Sequence, residues 1–267
     1  MRYSFAEALV SVSSRSMTLP TVSTNDPTPF LWAVLPIGAY LVGSFPTAHL
    51  LARSRGVDLG SVGSRSYGAT NLGRTLGRGW GFACFLIDAM KGAIPVLGAG
   101  LLLNTLGATP GSFSPQTAWC WLAVAAAAIV GHTLSPWIRF KGGKGVAAGF
   151  GALAAMWPIL TIPALLALTI WVVVLALFRM VSLASMVAAV SVPCSVIVSA
   201  LTANGLEGVR AAVPFLIASG LIAAFVVFKH RANIARIRSG AEPKVGQKKP
   251  AEKPAQTQTS APTEKRT

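Results

Sequence analysis

Three short polar stretches interrupt an otherwise apolar chain, and each carries residue types suited to holding an anion. The first, Gly63-Ser-Arg-Ser-Tyr-Gly-Ala-Thr-Asn-Leu-Gly-Arg74, sets three glycines among Ser64, Ser66, Thr70 and Asn71 and ends on an arginine. Glycines let a turn present successive backbone N–H groups, hydroxyls and the Asn71 amide add donors, which makes Asn71 a candidate substrate ligand, and a guanidinium grips two phosphate oxygens at once. A polar interfacial turn with one basic residue has the same composition, and this stretch alone does not choose between the two.

The second stretch, Lys141-Gly-Gly-Lys-Gly145, leads into Val146 at a predicted helix start. It has the ingredients of an anion-binding nest on a helix N-terminus. A merely flexible loop would tolerate many small polar residues here, so Lys141, Gly142, Gly143, Lys144 and Gly145 are candidate phosphate ligands. Gly143 is expected to approach a phosphate with positive φ. The glycine spacing and the following Ser/Thr of a Walker nucleotide loop are missing, which argues against ATP hydrolysis.

In the third stretch, His230 and Asn233 lie three apart and share a face if the helix continues. An imidazole and an amide there suit a hydroxyl or phosphate, although His230 as a plain span terminus is the simpler reading of the pair alone. His49 and His132 lie near span ends with no carboxylate at a metal-ligand spacing, so neither a metal nor a cofactor is expected. Asp88 and Lys91, one turn apart inside a span, are expensive in lipid unless they pair, and are read as a structural ion pair.

The elements that must position these residues are membrane helices. Of 267 residues, 53% are hydrophobic and 12% charged, and the mean hydropathy is +0.60, too apolar for a soluble domain of this length. There are 23 Lys+Arg against 8 Asp+Glu. The basic residues lie in loops and the C-terminal end rather than on one folded face, so nucleic acid is not expected as a partner. Cys84, Cys120 and Cys194 fall in apolar runs and read as small core residues.

Candidate spans are residues 30–52, 80–103, 117–134, 182–203 and 211–228, with a longer apolar run over 149–178. That run is either one tilted helix, for six crossings, or two short ones split near Pro158 and Pro163, for seven. Basic residues concentrate in loops 52–79 and 139–144 and after residue 228, which places all three on the cytoplasmic side. Returning from the second of these loops to a cytoplasmic His230 takes an even number of crossings, so seven helices are expected, with the N-terminus outside and the C-terminus cytoplasmic. Residues 1–29 read as a poorly ordered extension, 30–239 as the membrane domain and 240–267 as a basic, disordered tail. Met17 is an alternative start.

The three stretches, together with Gly43-Ser-Phe-Pro46, Leu86-Ile-Asp-Ala-Met-Lys-Gly92 and Arg179-Met-Val-Ser-Leu-Ala-Ser185, resemble the bacterial membrane glycerol-3-phosphate acyltransferases that use acyl phosphate as donor. The resemblance covers about residues 30–245 and implies a seven-helix fold with its site at the cytoplasmic face of the inner membrane. By position it implies that Ser64 and Arg74 are needed for activity and that Gly142, Gly143 and Gly145 hold the acyl phosphate. It further makes His230 and Asn233 a functional pair and Glu242 a structural glutamate. One departure stands out: the family commonly reads Gly-Ser-Gly-Asn where this chain has Gly63-Ser64-Arg65-Ser66.

The implied reaction joins acyl phosphate to the 1-hydroxyl of glycerol 3-phosphate, giving lysophosphatidate for phospholipid synthesis. Arg74, Ser64, His230 and Asn233 would hold the acceptor, the glycine loop the donor, and membrane lipid would surround the acyl chain. The enzyme that makes acyl phosphate is a candidate partner. An organic-phosphate transporter would place its site near the midplane and show internal repeats, neither of which is seen here. A lipid-binding scaffold would use the basic loops only to hold headgroups.

Overall fold

The computed structural model describes residues 26–247 and is all-helical over them apart from one isolated bridge. The proposed disorder of the extension and tail, and the alternative start at Met17, fall largely on residues 1–25 and 248–267, outside the described residues. In chain order the α-helices are α1 (Pro29–Gly43), α2 (Thr47–Arg53), α3 (Ala69–Leu76), α4 (Arg78–Leu102), α5 (Pro115–Thr133), α6 (Val146–Ala154), α7 (Thr161–Phe178), α8 (Val181–Lys229) and α9 (Arg231–Arg238). Among the described residues, four helical stretches are long and apolar enough to cross a membrane: Pro29–Arg53, Arg78–Leu102, Thr161–Phe178 and Val181–Lys229. Their outer faces carry Phe82, Met90, Leu101, Val172 and Leu177 exposed, as lipid-facing surfaces do.

The apolar run over 149–178 is divided: α6 stops at Ala154, the backbone turns through residues 155–160, and α7 begins at Thr161. A different break occurs within α8, whose 49 residues would extend roughly 74 Å if straight, more than twice a hydrocarbon core. Asn204 and Gly205 leave helical geometry, Gly205 at φ 58°. Gly208 then packs against the Ala200 carbonyl, so α8 is two arms of a hairpin.

Small residues bring the helices close, as expected where lipid removes the hydrophobic drive between them. A β-carbon at Gly43 would overlap the Ala128 carbonyl, seating α1 on α5. One at Gly92 or Gly151 would overlap Ala148 or Ala89, seating α4 on α6. Trp121, fully buried, donates from Nε1 to the Val96 carbonyl at 2.9 Å and ties α5 to α4. Cys84 and Cys120 are buried, whereas Cys194 is exposed on the surface of α8, against the expectation for a core residue. At the basic end, a second small core of Ala48, Ala52, Leu59, Leu72 and Cys84 clamps the 54–77 segment onto α2 and α4.

Candidate active site

Asn71 organises the glycine-serine stretch from the first turn of α3. Its amide oxygen accepts from the Ser64 N–H at 3.0 Å, and its Nδ2 donates to the carbonyls of Ser66 at 3.0 Å and Val62 at 3.2 Å. Only 2% exposed, Asn71 has both ends of its amide committed to the loop's own backbone. The expectation that it binds substrate is therefore corrected: it is a positioning residue that ties exposed Ser64 to the helix carrying Arg74 one turn later. Arg65 holds φ 55°, a left-handed conformation that favours glycine. This chain keeps the left-handed turn at a strain of about 1–3 kcal/mol.

Glycines in the second loop serve packing more than conformation. Positive φ falls on Arg139, Phe140 and Gly145, not on Gly143, which corrects that expectation. What excludes a side chain at Gly143 is contact: a β-carbon there would overlap Nε2 of His132, and one at Gly142 would overlap the His132 carbonyl. The Gly143 N–H donates to that carbonyl at 3.3 Å. Gly145, at φ 83°, caps α6. A β-carbon at Gly68 would meet the Gly143 Cα at 3.6 Å, so the first two loops touch. Lys141 is exposed and pairs by backbone with Ser135, while Lys144 turns inward.

Lys144 meets the third stretch. Its ammonium donates to the Asn233 amide oxygen, and Asn233 Nδ2 donates to Glu242 Oε1 at 2.7 Å. Ser182 from α8 donates to the same carboxylate oxygen at 2.7 Å, and Arg236 Nε pairs with Oε2 at 2.8 Å. Arg74 closes the rim, its Nη2 3.3 Å from the Pro243 carbonyl. Residues 240–247 thus form a strap over the site. Arg179 pins it by donating to the Val245 carbonyl from Nε and Nη2, at 3.0 and 2.6 Å. This moves the boundary of the free tail: the described part after residue 239 is docked.

Charge and burial decide the protonation states. His230 and Asn233 are 3% exposed and Glu242 4%. Burial drives the His230 imidazole down to about 4, with Lys144 adding to the effect, against the opposing pull of the Val226 carbonyl and of Glu242. Since a carbonyl only accepts, the 2.8 Å contact of Nδ1 with Val226 puts the proton of neutral His230 on Nδ1 and leaves Nε2 bare. Burial also lowers Lys144 to about 8, with Glu242 opposing and Arg236, Arg74 and Lys229 reinforcing. Burial works against the Glu242 carboxylate, but hydrogen bonds from Ser182, Asn233 and Arg236 outweigh it and hold the group below its usual range.

Five groups expected at the site thus converge: Arg74, Lys144, His230, Asn233 and Glu242. No hydrogen bond or ion pair ties Ser64 or Lys141 to this network among the described residues. Asp88 and Lys91 form the expected ion pair at 2.8 Å, but within the bundle. Ser182 and Arg236 join the network without being among the site residues the sequence singles out. Arg236 continues the three-residue spacing of His230 and Asn233, a periodicity that would have placed it on their face; Ser182 has no such local signal. No cluster of three metal-ligating side chains occurs among the described residues.

A bundle of apolar helices with Arg74 and Lys144 gathered around a buried carboxylate network at one end defines a membrane protein with a cationic polar site. Residues 33–240 match the family model described as Glycerol-3-phosphate acyltransferase, and the chain belongs to that family. It is 43% identical over 210 residues to a glycerol-3-phosphate acyltransferase of Geotalea daltonii, covering 78% of this chain and 95% of that one. Identity to one of Desulforamulus reducens is 41% over 214 residues, covering 80% and 94%. Among solved structures, the glycerol 3-phosphate form of PlsY (YgiH), an integral membrane glycerol 3-phosphate acyltransferase, superposes with a TM-score of 0.68 at 33% identity, covering 79% of this chain and 94% of that one. Its lysophosphatidic acid form gives 0.65 at 32%, with the same coverage.

Proposed function

We propose that this membrane acyltransferase moves an acyl group from acyl phosphate to the 1-hydroxyl of sn-glycerol 3-phosphate, releasing lysophosphatidate and inorganic phosphate. The observation that carries this reading is the convergence of Arg74, Lys144 and His230 from three separate stretches of the chain on one buried carboxylate-anchored network. The two forms in which the PlsY relative was solved support the acceptor and the product.

Acyl phosphate is a mixed anhydride with a good leaving group, so no acyl-enzyme is required. The glycerol oxygen bonds to the acyl carbon, the carbon–oxygen bond to phosphate breaks, and the hydroxyl proton must leave. The chain's task is to align the two substrates and neutralise two phosphates brought close together. Arg74, Ser64 and His230 hold glycerol 3-phosphate, and Asn233, with its oxygen on Lys144 and one N–H on Glu242, reaches it through its second N–H; Lys141, Gly142, Gly143, Lys144 and Gly145 hold the acyl phosphate, with Lys144 between the two. Bare Nε2 of His230 is the chain's candidate proton acceptor, and a substrate phosphate oxygen is the alternative. Arriving phosphate charge raises the basicity of His230 from its depressed value.

In this reading the protein lies in the bacterial inner membrane with the site facing the cytoplasm. The break between α6 and α7 and the hairpin in α8 support seven crossings, and the basic residues of loops 52–79 and 139–144 support a cytoplasmic face for those loops and so an N-terminus outside. The test is purified protein with radiolabelled glycerol 3-phosphate. Lysophosphatidate and inorganic phosphate are expected from acyl phosphate, without divalent metal and without product from acyl-CoA. Robust product from acyl-CoA alone would overturn the donor assignment, and activity abolished by chelator and restored by metal would overturn the metal-free reaction.

A further inference from the structure

Under the glycine loop lies a buried polar cluster that the proposed reaction does not use. Lys91 Nζ sits 2.8 Å from Asp88 Oδ1 and donates to the Phe45 carbonyl at 2.7 Å, bridging α4 to the break between α1 and α2. The Cys84 thiol donates to the other carboxylate oxygen of Asp88 at 3.4 Å. From the last turn of α5, His132 brings Nδ1 to 3.6 Å from Asp88 Oδ1. That is too long for a hydrogen bond, and Nδ1 has no hydrogen-bond partner among the described residues, so the carboxylate faces the ring nitrogen across a short gap. The opposite nitrogen of the ring, Nε2, abuts Gly143 so closely that a β-carbon there would overlap it. His132 itself is 6% exposed.

We infer that His132 is a positioning residue for the glycine loop: its ring and carbonyl are the floor on which Gly142 and Gly143 lie, and Asp88, fixed by Lys91 and Cys84, sets the angle of that floor. The inference rests on the reading of this loop as a phosphate site. A loop that binds an anion through backbone and lysine together needs both aimed at one point, and the support for that aim comes from beneath. The arrangement also explains the run of two glycines, since only residues without β-carbons lie flat against the ring and carbonyl of the preceding helix end.

A coupling experiment tests it in the full-length purified enzyme. Gly143→Ala drives a methyl into the imidazole and is expected to lower the thermal midpoint and raise KM for the loop's substrate. His132→Ala alone should raise KM for acyl phosphate about tenfold while leaving that for glycerol 3-phosphate within about twofold. In the double variant the missing ring makes room for the methyl, so at least about half of the midpoint lost in Gly143→Ala should return, a non-additivity expected of groups in contact. His132→Gln, which keeps a polar group of similar reach, should recover most of the KM effect. Additive midpoint losses in the double variant would overturn the inference, as would equal KM changes for both substrates in His132→Ala. Midpoint recovery together with a selective effect on glycerol 3-phosphate would uphold His132 as the floor and show instead that the two phosphate sites of the proposed function are exchanged.

Discussion

Asn233 Nδ2 donates to Glu242 Oε1 at 2.7 Å, and that bond fixes which way the amide faces. A carboxylate only accepts, so the NH2 end must point to Glu242 and the oxygen is left for the ammonium of Lys144. Glu242 therefore acts on the site through Asn233 while it also anchors Arg236 and Ser182.

Glu242→Gln is expected to break this polarity. A glutamine amide can face Asn233 with its own donor, turning the Asn233 NH2 toward Lys144, and the Arg236 pair loses its charge. Breaking a buried pair from one side costs about 3–5 kcal/mol, and since Arg236 is only partly buried the lower end applies. A fall in thermal midpoint together with at least about a tenfold loss in kcat/KM should follow. Wild-type values of both would take Glu242 out of the network.

Arg74→Lys should lose most of the activity, because an ammonium does not reproduce a bidentate grip on phosphate. The guanidinium lies at the rim of the site against the strap carbonyl of Pro243, so the exchange leaves the fold intact. Steady-state kinetics decide it: turnover within about twofold of wild type would remove Arg74 from the site.

The depressed Lys144 sets an alkaline limit. Its charge is present below about 8 and lost as the pH rises through that value, so kcat/KM for the free enzyme should fall on the alkaline side from near there. Substrate phosphate bound beside the ammonium raises its pKa, which moves the corresponding limb in kcat upward. In the free enzyme neutral His230, at about 4, adds no limb of its own to kcat/KM between about pH 5 and 8. Lys144→Arg, charged throughout, should remove the alkaline limb; a limb left in place would assign it to another group.

Topology is checked by labelling a cysteine-free background in intact cells with an impermeant thiol reagent. A cysteine at Gln116, just inside α5, should react, and one at Ser66 or Ser239 should not. The reversed pattern, or equal labelling at Gln116 and Ser239, would sink the seven-crossing arrangement.

The membrane class, the family and the three polar stretches were legible in the residues alone, because composition, apolar run length and glycine-cation clustering are local properties of the chain. The division of the 149–178 run was legible too: its prolines left one helix or two open, the parity of the basic loops chose two, and the break falls around Pro158, with Pro163 in the first turn of α7. What local pattern did not decide was which polar group would face which. Asn71 looked like one more donor in a phosphate loop, yet its amide closes on the loop's own backbone. Lys141 and Lys144 are chemically alike and three apart, but only Lys144 turns into the Asn233–Glu242 network, 89 residues further along the chain at its first contact. Ser182, sixty residues before Glu242, joins it because α8 and the strap pack together. His132 offered no spacing to any carboxylate until α5 lay against α4. Residues so far apart meet only when the helices fix their rotation and depth, and it is then that burial, through desolvation and neighbouring charge, sets which groups carry a proton.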